Sequence, residues 1–467
     1  MEPFTFSVEP QKSKRLYEQI YEYIAREMRE GRLEAGEKLP SKRALAAHLR
    51  VSQSTVETAY GMLVSEGYLR AVPKSGFYVC ALEGADVLGT DPPLDLPPDP
   101  KPSGDRRYRY DFATNTVDTS AFPYATWAKI SREVMADGTR LLNPGEPQGD
   151  LCLRRAIAKY LHEFRGVNCL AEQIVVGAGI EYLTGITTQL LQGMGAVALE
   201  NPGYERTGRI IRNSGGEVVC LPLDRAGMRA DLLPGEGVCA AYITPSHQFP
   251  TGIVMPIGRR MELLAWAGRK PGRYVIEDDY DSEFRYGGRP IPALQGLDRR
   301  GRVIYLSTFS KCIAPSIRAA YLVLPPDLLV LYRQKFGAYS STVSRFEQQT
   351  LARFLSEGHF GRHLNRTRIL YRKQREFLIQ ALSQERIPFE ILGQNAGVHF
   401  LLHVQNGMAE NELVQHAAEN GVRVYGLSEY CMEPVPGLPE STVVLGYAGF
   451  SAEELREAAA LLRQAWM

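Results

Sequence analysis

Seven short apolar segments, separated by stretches of helical periodicity, constrain the fold of this chain more than any other feature. Strands that alternate with helices form a mainly parallel sheet with helices on both faces. After residue 351, long helices precede shorter apolar segments, which predicts a smaller C-terminal α+β subdomain over about residues 350–467. We therefore expect an α/β domain over residues 108–467. Its seven predicted sheet strands are residues 174–177, 196–200, 217–223, 239–245, 274–278, 303–310 and 320–324.

Lys311 follows directly after the sixth of these strands, in a turn rich in Ser and Thr. A lysine at the end of a buried strand loses hydration, so it usually has a chemical task, most often bonding to an aldehyde. The hydroxyls of Thr308 and Ser310 and the guanidinium of Arg318 could hold a phosphate beside it. An aldehyde that carries a phosphate is pyridoxal phosphate (PLP). The alternative is a lysine that extends its ammonium group from the strand end into water.

Other strand ends carry groups that suit the pyridine ring of this cofactor, and ligands of α/β proteins bind at these ends. Asp278 could keep the ring nitrogen protonated, with Asp279 as an alternative. Tyr280 could hydrogen-bond the ring hydroxyl, and Tyr204 could stack on the ring. The alternative is that Asp278 and Asp279 are surface acids and that Tyr204 is a core aromatic side chain.

The turn after the first strand opens a helix at Gly179 and Ile180. Free backbone N–H groups at a helix N-terminus can bind phosphate, although a single glycine turn is weak support. Glu181 follows directly, and its charge would repel a phosphate unless the side chain turns away.

The first 80 residues have the pattern of a DNA-binding head. An amphipathic helix precedes two short helices, for which Ser41 and Ser52 are predicted caps, joined by a turn around Val51. Residues 68–79 then predict a hairpin. This order is typical of a winged helix-turn-helix. Four Lys/Arg residues and no acidic residue lie between residues 38 and 56, as expected of a DNA-binding surface. The alternative is a helix-turn-helix used only for packing.

Residues 81–107 are rich in Pro and Asp, which predicts an extended linker between the two domains. The formal net charge is +1, so any nucleic-acid binding must come from a local patch. The seven scattered cysteines contain no CxxC pair, which favours reduced thiols over disulfides or structural zinc. No apolar run has the length of a membrane span. We expect a cytoplasmic protein without a metal site or a membrane partner.

The N-terminal head resembles the winged helix-turn-helix of the GntR family in LPSKRALAAHLRVSQSTVETAYGMLVSEGYL and SGFYV. The large domain resembles fold type I PLP enzymes, the aspartate aminotransferase superfamily, in ENPGY, TPSHQFPTG, EDDYDSEFRY and STFSK…R. A chain that joins the two resembles the MocR/GabR subfamily of bacterial transcriptional regulators. Double-stranded operator DNA and a homodimer are the partners that this resemblance implies.

The resemblance also implies a role for individual residues. Lys311 would be the Schiff-base lysine, Asp278 the partner of the pyridine nitrogen, Tyr280 the partner of the ring hydroxyl and Tyr204 the stacking group. The expected phosphate contacts are Gly179, Ile180, Thr308, Ser310 and Arg318. The expected DNA contacts are Ser41, Lys42, Arg43, Ser52, Gln53, Ser54 and Thr55 in the helices, with Lys74 and Gly76 in the wing.

Val444 stands at about the place where aminotransferases of this superfamily carry an arginine that binds the substrate carboxylate. Without that bidentate contact, ordinary α-amino acids should bind weakly and be poorly oriented. Arg206 resembles a ligand-binding arginine of GabR-like regulators and is the preferred carboxylate partner, with Arg423 second. In the head, Gln53 and Glu57 occupy positions where relatives carry arginine, so the operator sequence cannot be inferred from theirs.

These features predict a PLP-binding transcriptional regulator that responds to an amino compound, such as γ-aminobutyrate or another amino acid, or to PLP itself. The response would pass through an aldimine at Lys311, with little or no turnover. An alternative is a working PLP-dependent aminotransferase tethered to DNA by its head. A third possibility is a repressor whose large domain serves only for dimerisation.

Overall fold

The computed structural model describes residues 14–81, 108–136, 138–287 and 292–467. The chain divides into two compact units, residues 1–105 and 106–467, which we call the head and the effector unit. Apart from Ala81, the predicted linker of residues 81–107 lies outside the described residues. In the part of the chain that is described, no helix combines the length and the apolar character required to cross a membrane.

The head contains three helices and a two-stranded antiparallel hairpin among its described residues, which confirms the predicted winged helix-turn-helix. Its core forms because Ile20, Ile24 and Met28 share one face of the first helix and pack against Val56 and Leu63 of the third. The elements are α1 (Leu16–Arg29), α2 (Lys42–Leu49), α3 (Gln53–Ser65), β1 (Leu69–Val72) and β2 (Gly76–Val79).

Both helices of the helix-turn-helix begin at the predicted serine caps. The Ser41 hydroxyl accepts a hydrogen bond from the Ala44 backbone N–H at 3.1 Å, and the Ser52 hydroxyl accepts one from the Thr55 N–H at 3.1 Å. Each cap satisfies a backbone donor that has no partner within the helix. The left-handed backbone of Arg50 (φ 54°) ends α2 and turns the chain toward α3.

The main sheet of the effector unit contains all seven predicted strands and one further strand within the described residues. The strands are β4 (Ile174–Gly177), β5 (Ala196–Asn201), β6 (Val218–Asp224), β7 (Gly227–Met228), β8 (Val238–Ile243), β9 (Tyr274–Asp279), β10 (Val303–Thr308) and β11 (Ala320–Val323). Their order in the sheet is β4-β11-β10-β9-β8-β5-β6-β7, and the four pairings from β10 through β6 are parallel.

The predicted count of seven strands is therefore corrected to eight. The missed strand, β7, has two residues and pairs antiparallel with the end of β6 across a tight turn. Two residues are too few for alternation of apolar and polar side chains to appear in the sequence.

Helices cover both faces of the main sheet, as predicted. Along β4, Ile174 and Val176 belong to one apolar cluster and Val175 belongs to another, because successive strand residues point to opposite faces. The helices before the C-terminal subdomain are α4 (Tyr124–Ala136), α5 (Leu151–Arg165), α6 (Ile180–Leu191), α7 (Glu205–Asn213), α8 (Ile257–Gly268) and α9 (Pro326–Phe336).

The C-terminal part has long helices and the strands β12 (Phe389–Leu392), β13 (His399–Val404), β14 (Val422–Arg423), β15 (Tyr425–Gly426) and β16 (Thr442–Gly446). Four of these strands form a separate antiparallel sheet of order β12-β13-β16-β15. Strand β14 instead pairs in parallel with β3 (Tyr110–Asp111), so the start of the effector unit contacts its C-terminal part. The helices are α10 (Arg345–Ser356), α11 (His359–Gln384), α12 (Glu410–Glu419) and α13 (Ala452–Trp466).

Candidate cofactor site and DNA-binding surface

A cavity of about 260 Å³ lies at the carboxyl ends of the parallel strands. Most of the predicted cofactor and ligand residues line it: Lys311, Asp278, Tyr280, Tyr204, Ile180, Thr308, Ser310, Arg318 and Arg206. Gly179 lies at its edge as the N-cap residue of α6. Arg423 is not among the residues that line this cavity. The predicted cofactor and ligand residues therefore lie together around one cavity, except for Arg423, the second-ranked carboxylate partner.

Lys311 lies in the turn after β10, and its Nζ donates a hydrogen bond to the backbone carbonyl of Thr114. Burial lowers the pKa of the amine to about 8, and the negative charge of Asp281 acts in the opposite direction. Taking an ammonium group out of water disfavours its charged form. Near neutral pH, an appreciable fraction of Lys311 is thus the unprotonated amine, which is the nucleophilic form.

Asp278 and Asp279 are adjacent at the end of β9 but have different partners. Arg165 Nε donates to Asp279 Oδ2 at 2.8 Å, and the Tyr305 hydroxyl donates to the same oxygen at 2.5 Å. Asp278 Oδ2 accepts the Tyr242 hydroxyl at 2.6 Å, while its Oδ1 is buried and has no partner among the described residues. Asp278 lines the cavity, so its Oδ1 is the acceptor available to a ligand.

Tyr280 lies beside a buried imidazole–carboxylate pair. Its hydroxyl donates to the His247 backbone carbonyl at 3.0 Å and lies 3.1 Å from His247 Nδ1. The same nitrogen is 2.9 Å from Asp281 Oδ2. These contacts fix the position of the Tyr280 hydroxyl at the wall of the cavity.

The start of α6 and the turn that contains Arg318 form a compact pair. Gly179 has a φ of +100°, a conformation that other residues rarely adopt, and a Cβ there would lie 2.5 Å from Arg318 Nη2 and displace the end of that side chain. Arg318 donates to Glu181 Oε2 at 3.0 Å and to the Ala178 carbonyl at 3.1 Å. Burial raises the pKa of Glu181, but hydrogen bonds from its backbone and from Arg318 outweigh it and hold the pKa below the usual value. The predicted repulsion by Glu181 is therefore balanced by Arg318.

Two hydroxyls complete this end of the cavity. The Thr308 hydroxyl donates to Ser310 Oγ at 2.9 Å, and the Ser310 backbone N–H donates to Thr308 Oγ1 at 3.1 Å. Together with Arg318 and the N-terminus of α6, they provide the donor groups that a phosphate requires.

Another part of the wall contains Tyr204, the N-cap residue of α7, whose ring packs edge-to-face against Phe249 with centroids 5.5 Å apart. The Arg206 guanidinium lies 6.0 Å from the centre of the Tyr204 ring. This wall joins a flat apolar surface to a cation. Arg206 is therefore positioned to meet an anionic group of a ligand held in the cavity.

Arg423 has other partners. Its guanidinium lies 3.9 Å from Asp111 Oδ2 and over the rings of Tyr108 and Tyr425. Val444 is fully buried in β16, opposite Leu401 of β13. Neither residue supplies the cavity with a second carboxylate partner.

Several cavity residues were not predicted. Thr114 and Asn115 follow β3 and are distant from the motifs in sequence, so no periodicity points to them. His399 begins β13, and its ring centroid lies 4.9 Å from that of His247. The two histidines are far apart in sequence, so the sequence alone does not predict this contact. Phe249 lies inside the TPSHQFPTG motif, and attention to the aromatic position of that motif would have identified it.

In the head, most predicted DNA contacts share one exposed region formed by the start of α2, the start of α3 and the hairpin tip. Lys42 differs from the other predicted contacts because it forms an ion pair within the head, with its Nζ 2.5 Å from Glu57 Oε1 of α3. Gly76 has a φ of +126° and Lys74 a φ of +61°, as a tight hairpin tip requires. The exposed members are Ser41, Arg43, Ser52, Gln53, Ser54 and Lys74, and Lys42, Thr55 and Gly76 are half-buried.

Comparison with known proteins agrees with this architecture. Residues 16–79 match the bacterial regulatory proteins of the gntR family, and residues 110–462 match aminotransferases of class I and II. An uncharacterized HTH-type transcriptional regulator of Bacillus subtilis, YdeL, is 40% identical over 97% of this chain and 96% of its own. The probable rhizopine catabolism regulatory protein MocR of Rhizobium meliloti is 32% identical over 97% of this chain and 94% of its own. The chain belongs to the MocR/GabR subfamily of GntR-type transcriptional regulators.

The fold of the effector unit is shared with solved aminotransferases. An archaeal alanine:glyoxylate aminotransferase matches 76% of this chain and 90% of its own, with a TM-score of 0.68 and 24% identity. This similarity confirms the predicted fold type I architecture. The regulator thus combines a DNA-binding head with an aminotransferase-type unit whose cofactor is pyridoxal phosphate.

The residues present fit this cofactor. The unpartnered Asp278 Oδ1 offers an acceptor for a protonated ring nitrogen, and the Lys311 amine offers a nucleophile for the aldehyde. The glycine at residue 179 leaves space beside Arg318 that a side chain would fill. These three features lie around one cavity, and together they suit a phosphorylated pyridine aldehyde.

Proposed function

We propose that this regulator senses a small amino compound in the Lys311 cavity and changes its binding to operator DNA in response. The observation that carries the proposal is the cavity itself, which places the reactive Lys311 amine and the Arg206 guanidinium on one ligand space. An amino acid offers both complementary groups, an amine and a carboxylate. The attached winged head supports a regulatory use of this site.

Each cavity residue has a proposed part in holding the cofactor. Lys311 provides the amine for the aldehyde, Asp278 holds a proton on the ring nitrogen, Tyr280 orients the ring hydroxyl and Tyr204 covers one ring face. The groups proposed for the phosphate are Gly179, Ile180, Thr308, Ser310 and Arg318. When bound, PLP supplies an electrophilic carbon that can exchange the lysine amine for the amine of an effector.

Arg206 is the proposed partner of the effector carboxylate. A guanidinium that faces a carboxylate in a partly dehydrated cavity forms a charge-assisted hydrogen bond, which is stronger than a neutral one. The pairing of Arg423 with Asp111 leaves Arg206 as the cation on this wall of the described cavity. Arg206→Gln should therefore weaken the response to amino acids more than the response to amines without a carboxylate.

Sensing is favoured over turnover because β16 carries Val444 at the expected place of the substrate-clamping arginine. An effector held by one arginine can react with the cofactor but is less rigidly oriented for repeated proton transfers. We therefore propose little or no transamination. Steady multi-turnover formation of a 2-oxo acid with a panel of amino donors and 2-oxo acid acceptors would instead support an aminotransferase tethered to DNA.

On the DNA side, we propose that α3 enters the major groove and the β1–β2 hairpin contacts the minor groove. A homodimer would present two heads to paired half-sites, as two-fold symmetric regulators do. The exposed serines and Arg43 at the start of the two helices support this assignment. Sedimentation of the purified protein with and without a duplex would measure the stoichiometry.

The deciding experiment compares the full-length protein with its Lys311→Ala variant. Duplexes selected from a random pool by the wild-type protein serve as DNA, and the ligands are PLP followed by γ-aminobutyrate and a panel of amino acids. We expect the variant to bind the duplex with wild-type affinity but to lose the visible absorbance of the lysine-bound cofactor and every ligand-dependent change in DNA affinity. An unchanged ligand response in the variant would refute the proposal.

The same titration separates two kinds of effector. If PLP alone changes the DNA affinity of the wild-type protein and amino acids add nothing, the cofactor is itself the signal. If the change appears only after an amino acid is added to the PLP-loaded protein, the effector is an amino compound.

A further inference from the structure

We propose that Glu200 is a positioning residue that sets the charge of Asp278 through a small cavity between the two carboxyl groups. The inference rests on the proposed role of Asp278 as partner of the ring nitrogen. Glu200 lies at the end of β5, and Asp278 at the end of β9, with β8 between them. Neither the main cavity nor the cofactor roles described above involve Glu200.

The two carboxyl groups are held in the same way. Glu200 Oε2 accepts hydrogen bonds from the Thr244 hydroxyl at 2.7 Å and the Thr244 backbone N–H at 3.1 Å. Its Oε1 is buried and has no partner among the described residues. Asp278 likewise has one bonded oxygen, which accepts the Tyr242 hydroxyl, and one without a partner. Each acid thus has one unsatisfied oxygen.

Both side chains line a second cavity, of about 30 Å³, which shares Tyr204, Thr244 and Asp278 with the wall of the main cavity. One water molecule needs a cavity of roughly 10–15 Å³, so this cavity has room for about two water molecules. Thr207 and Thr244 add hydroxyls to its wall. Apolar side chains, among them Leu199, Phe249 and Met432, form much of the wall, but the carboxyl and hydroxyl oxygens on the rest of it can bind a water that links the two acids.

Two buried carboxyl groups without a cation cannot both be ionised at low cost. Burial raises the pKa of each to about 7, and for Asp278 the charges of Asp279, Asp281 and Glu200 act in the same direction while the Tyr242 hydrogen bond opposes them. On Glu200, the hydrogen bonds from Thr244 and Gln248 oppose burial. Asp279 is already paired with Arg165.

The pair therefore holds about one proton near neutral pH, as coupled acids do. A proton held by Glu200 leaves Asp278 ionised, which is the form that binds a protonated ring nitrogen. Loss of that proton would place a second negative charge behind Asp278 and raise the proton affinity of Asp278. Glu200 acts in this way through Asp278 and does not itself contact the cofactor.

The test is the dissociation constant for PLP, measured from pH 6 to pH 8 for the full-length wild-type protein and the Glu200→Gln variant. Glutamine keeps an acceptor for Thr244 but carries no charge. The titrations of PLP and of Lys311 are common to both proteins and cancel in the ratio of the two constants. We expect the wild-type affinity to fall relative to the variant as pH decreases, by ~5-fold or more across the interval. The reason is that ionised Glu200 strengthens the binding of a protonated ring nitrogen at Asp278, and protonation of Glu200 toward pH 6 removes that charge.

A matched control is Glu283→Gln, which removes a carboxyl of a half-buried residue whose desolvation likewise raises its pKa to about 7. Glu283 accepts the Tyr160 hydroxyl at 2.8 Å and lines neither cavity. This variant should follow the wild-type pH profile. A general effect of removing a buried acid would instead shift both variants alike.

A ratio that stays constant with pH would overturn the role of Glu200, because a purely structural change would alter the affinity equally at every pH. Thr244→Val provides a second variant if Glu200→Gln does not fold. Thr244→Val removes a hydrogen bond that favours the ionised form of Glu200. It should therefore shift the pH dependence of PLP affinity in the same direction as Glu200→Gln does. Asp278→Asn separates the two proposals: if it leaves PLP affinity unchanged, the proposed role of Asp278 fails as well.

Discussion

Lys311 acquires its reactivity from its surroundings, since the same side chain in water remains almost fully protonated at neutral pH. Its amine lies in the cavity at the carboxyl ends of the strands, where the nearby charge of Asp281 favours the ammonium form. Burial outweighs that charge, and the pKa falls to about 8. Because dehydration disfavours the ammonium form, a larger fraction of Lys311 is present as the nucleophilic amine.

We expect the reaction of Lys311 with an aldehyde to follow this pKa. The unprotonated fraction rises about tenfold per pH unit below pH 8 and levels off above it. Pyridoxal, which lacks the phosphate, should therefore label Lys311 several tens of times faster at pH 8 than at pH 6, when the adduct is trapped by borohydride and counted by mass spectrometry. Exposed lysines should still gain reactivity above pH 8 and serve as internal controls. A Lys311 rate that continues to rise in proportion up to pH 10 would contradict the lowered pKa.

Single residues also show what the sequence could not decide. The order of motifs predicted Lys311 and an acid near the ring nitrogen, but it left Asp278 and Asp279 as alternatives. The difference between them depends on Arg165, which is 114 residues away from Asp279 in sequence and bonds only one of the pair. Such a long-range contact has no local sequence signal. The contribution of Glu200 was invisible for the same reason.

At the scale of elements, local signals were the most informative. Serines before α2 and α3 predicted both helix starts, because an N-cap acts on residues two or three positions away. The seven longer strands were predicted from their apolar runs. Strand β7 was missed because its pairing depends on a two-residue turn, and the pairing of β3 with β14 joins residues more than 300 positions apart.

The contact between α2 and α3 gives a prediction for DNA binding. Lys42 pairs with Glu57, and Glu57 is mostly exposed on the helix proposed to enter the major groove. Glu57→Gln should remove a negative charge from this surface and release Lys42 for a phosphate. We expect tighter binding to a mixed-sequence duplex and a salt dependence steeper by about one released counterion, measured by anisotropy over a series of salt concentrations.

Stability should change little in this variant, since an exposed ion pair contributes about 0–1 kcal/mol. Glu27→Gln is a suitable control, because it also removes an acid that forms an ion pair within the head. Glu27 of α1 pairs with Arg32, and neither residue is a predicted DNA contact. Equal gains in affinity for the two variants would indicate a general charge effect. Weaker binding by Glu57→Gln would show that Glu57 is itself needed for DNA recognition.

At the scale of the whole effector unit, buried acids accumulate beneath the carboxyl ends of the strands. Burial raises the pKa of four of them to about 7: Glu200, Glu277, Asp278 and Glu283. All four protonate more readily in the folded state than in the unfolded chain. Their stabilising contribution is fully present below the unfolded pKa and is lost as pH rises through about 7.

Two other kinds of group act in the opposite direction. Burial lowers the pKa of His363 and His399, so their contribution is present above the unfolded value of about 6.5 and is lost as pH falls below it. Lys311, whose pKa is lowered to about 8, adds stability mainly as pH rises above that value. The acids therefore dominate between pH 6.5 and 7.5.

We expect the free energy of unfolding of the PLP-free effector unit, within the full-length protein, to fall by about 2 kcal/mol from pH 6.5 to pH 7.5. All three tryptophans of the chain, at positions 127, 266 and 466, belong to this unit, so tryptophan fluorescence in urea reports its unfolding without the head. Glu283→Gln removes one of the four titrating acids and should reduce the fall by about a third, or about 0.7 kcal/mol. A free energy of unfolding that is flat or rises across this interval would show that the four acids are ionised in the folded protein. The same result would remove the electrostatic basis for a proton shared by Glu200 and Asp278.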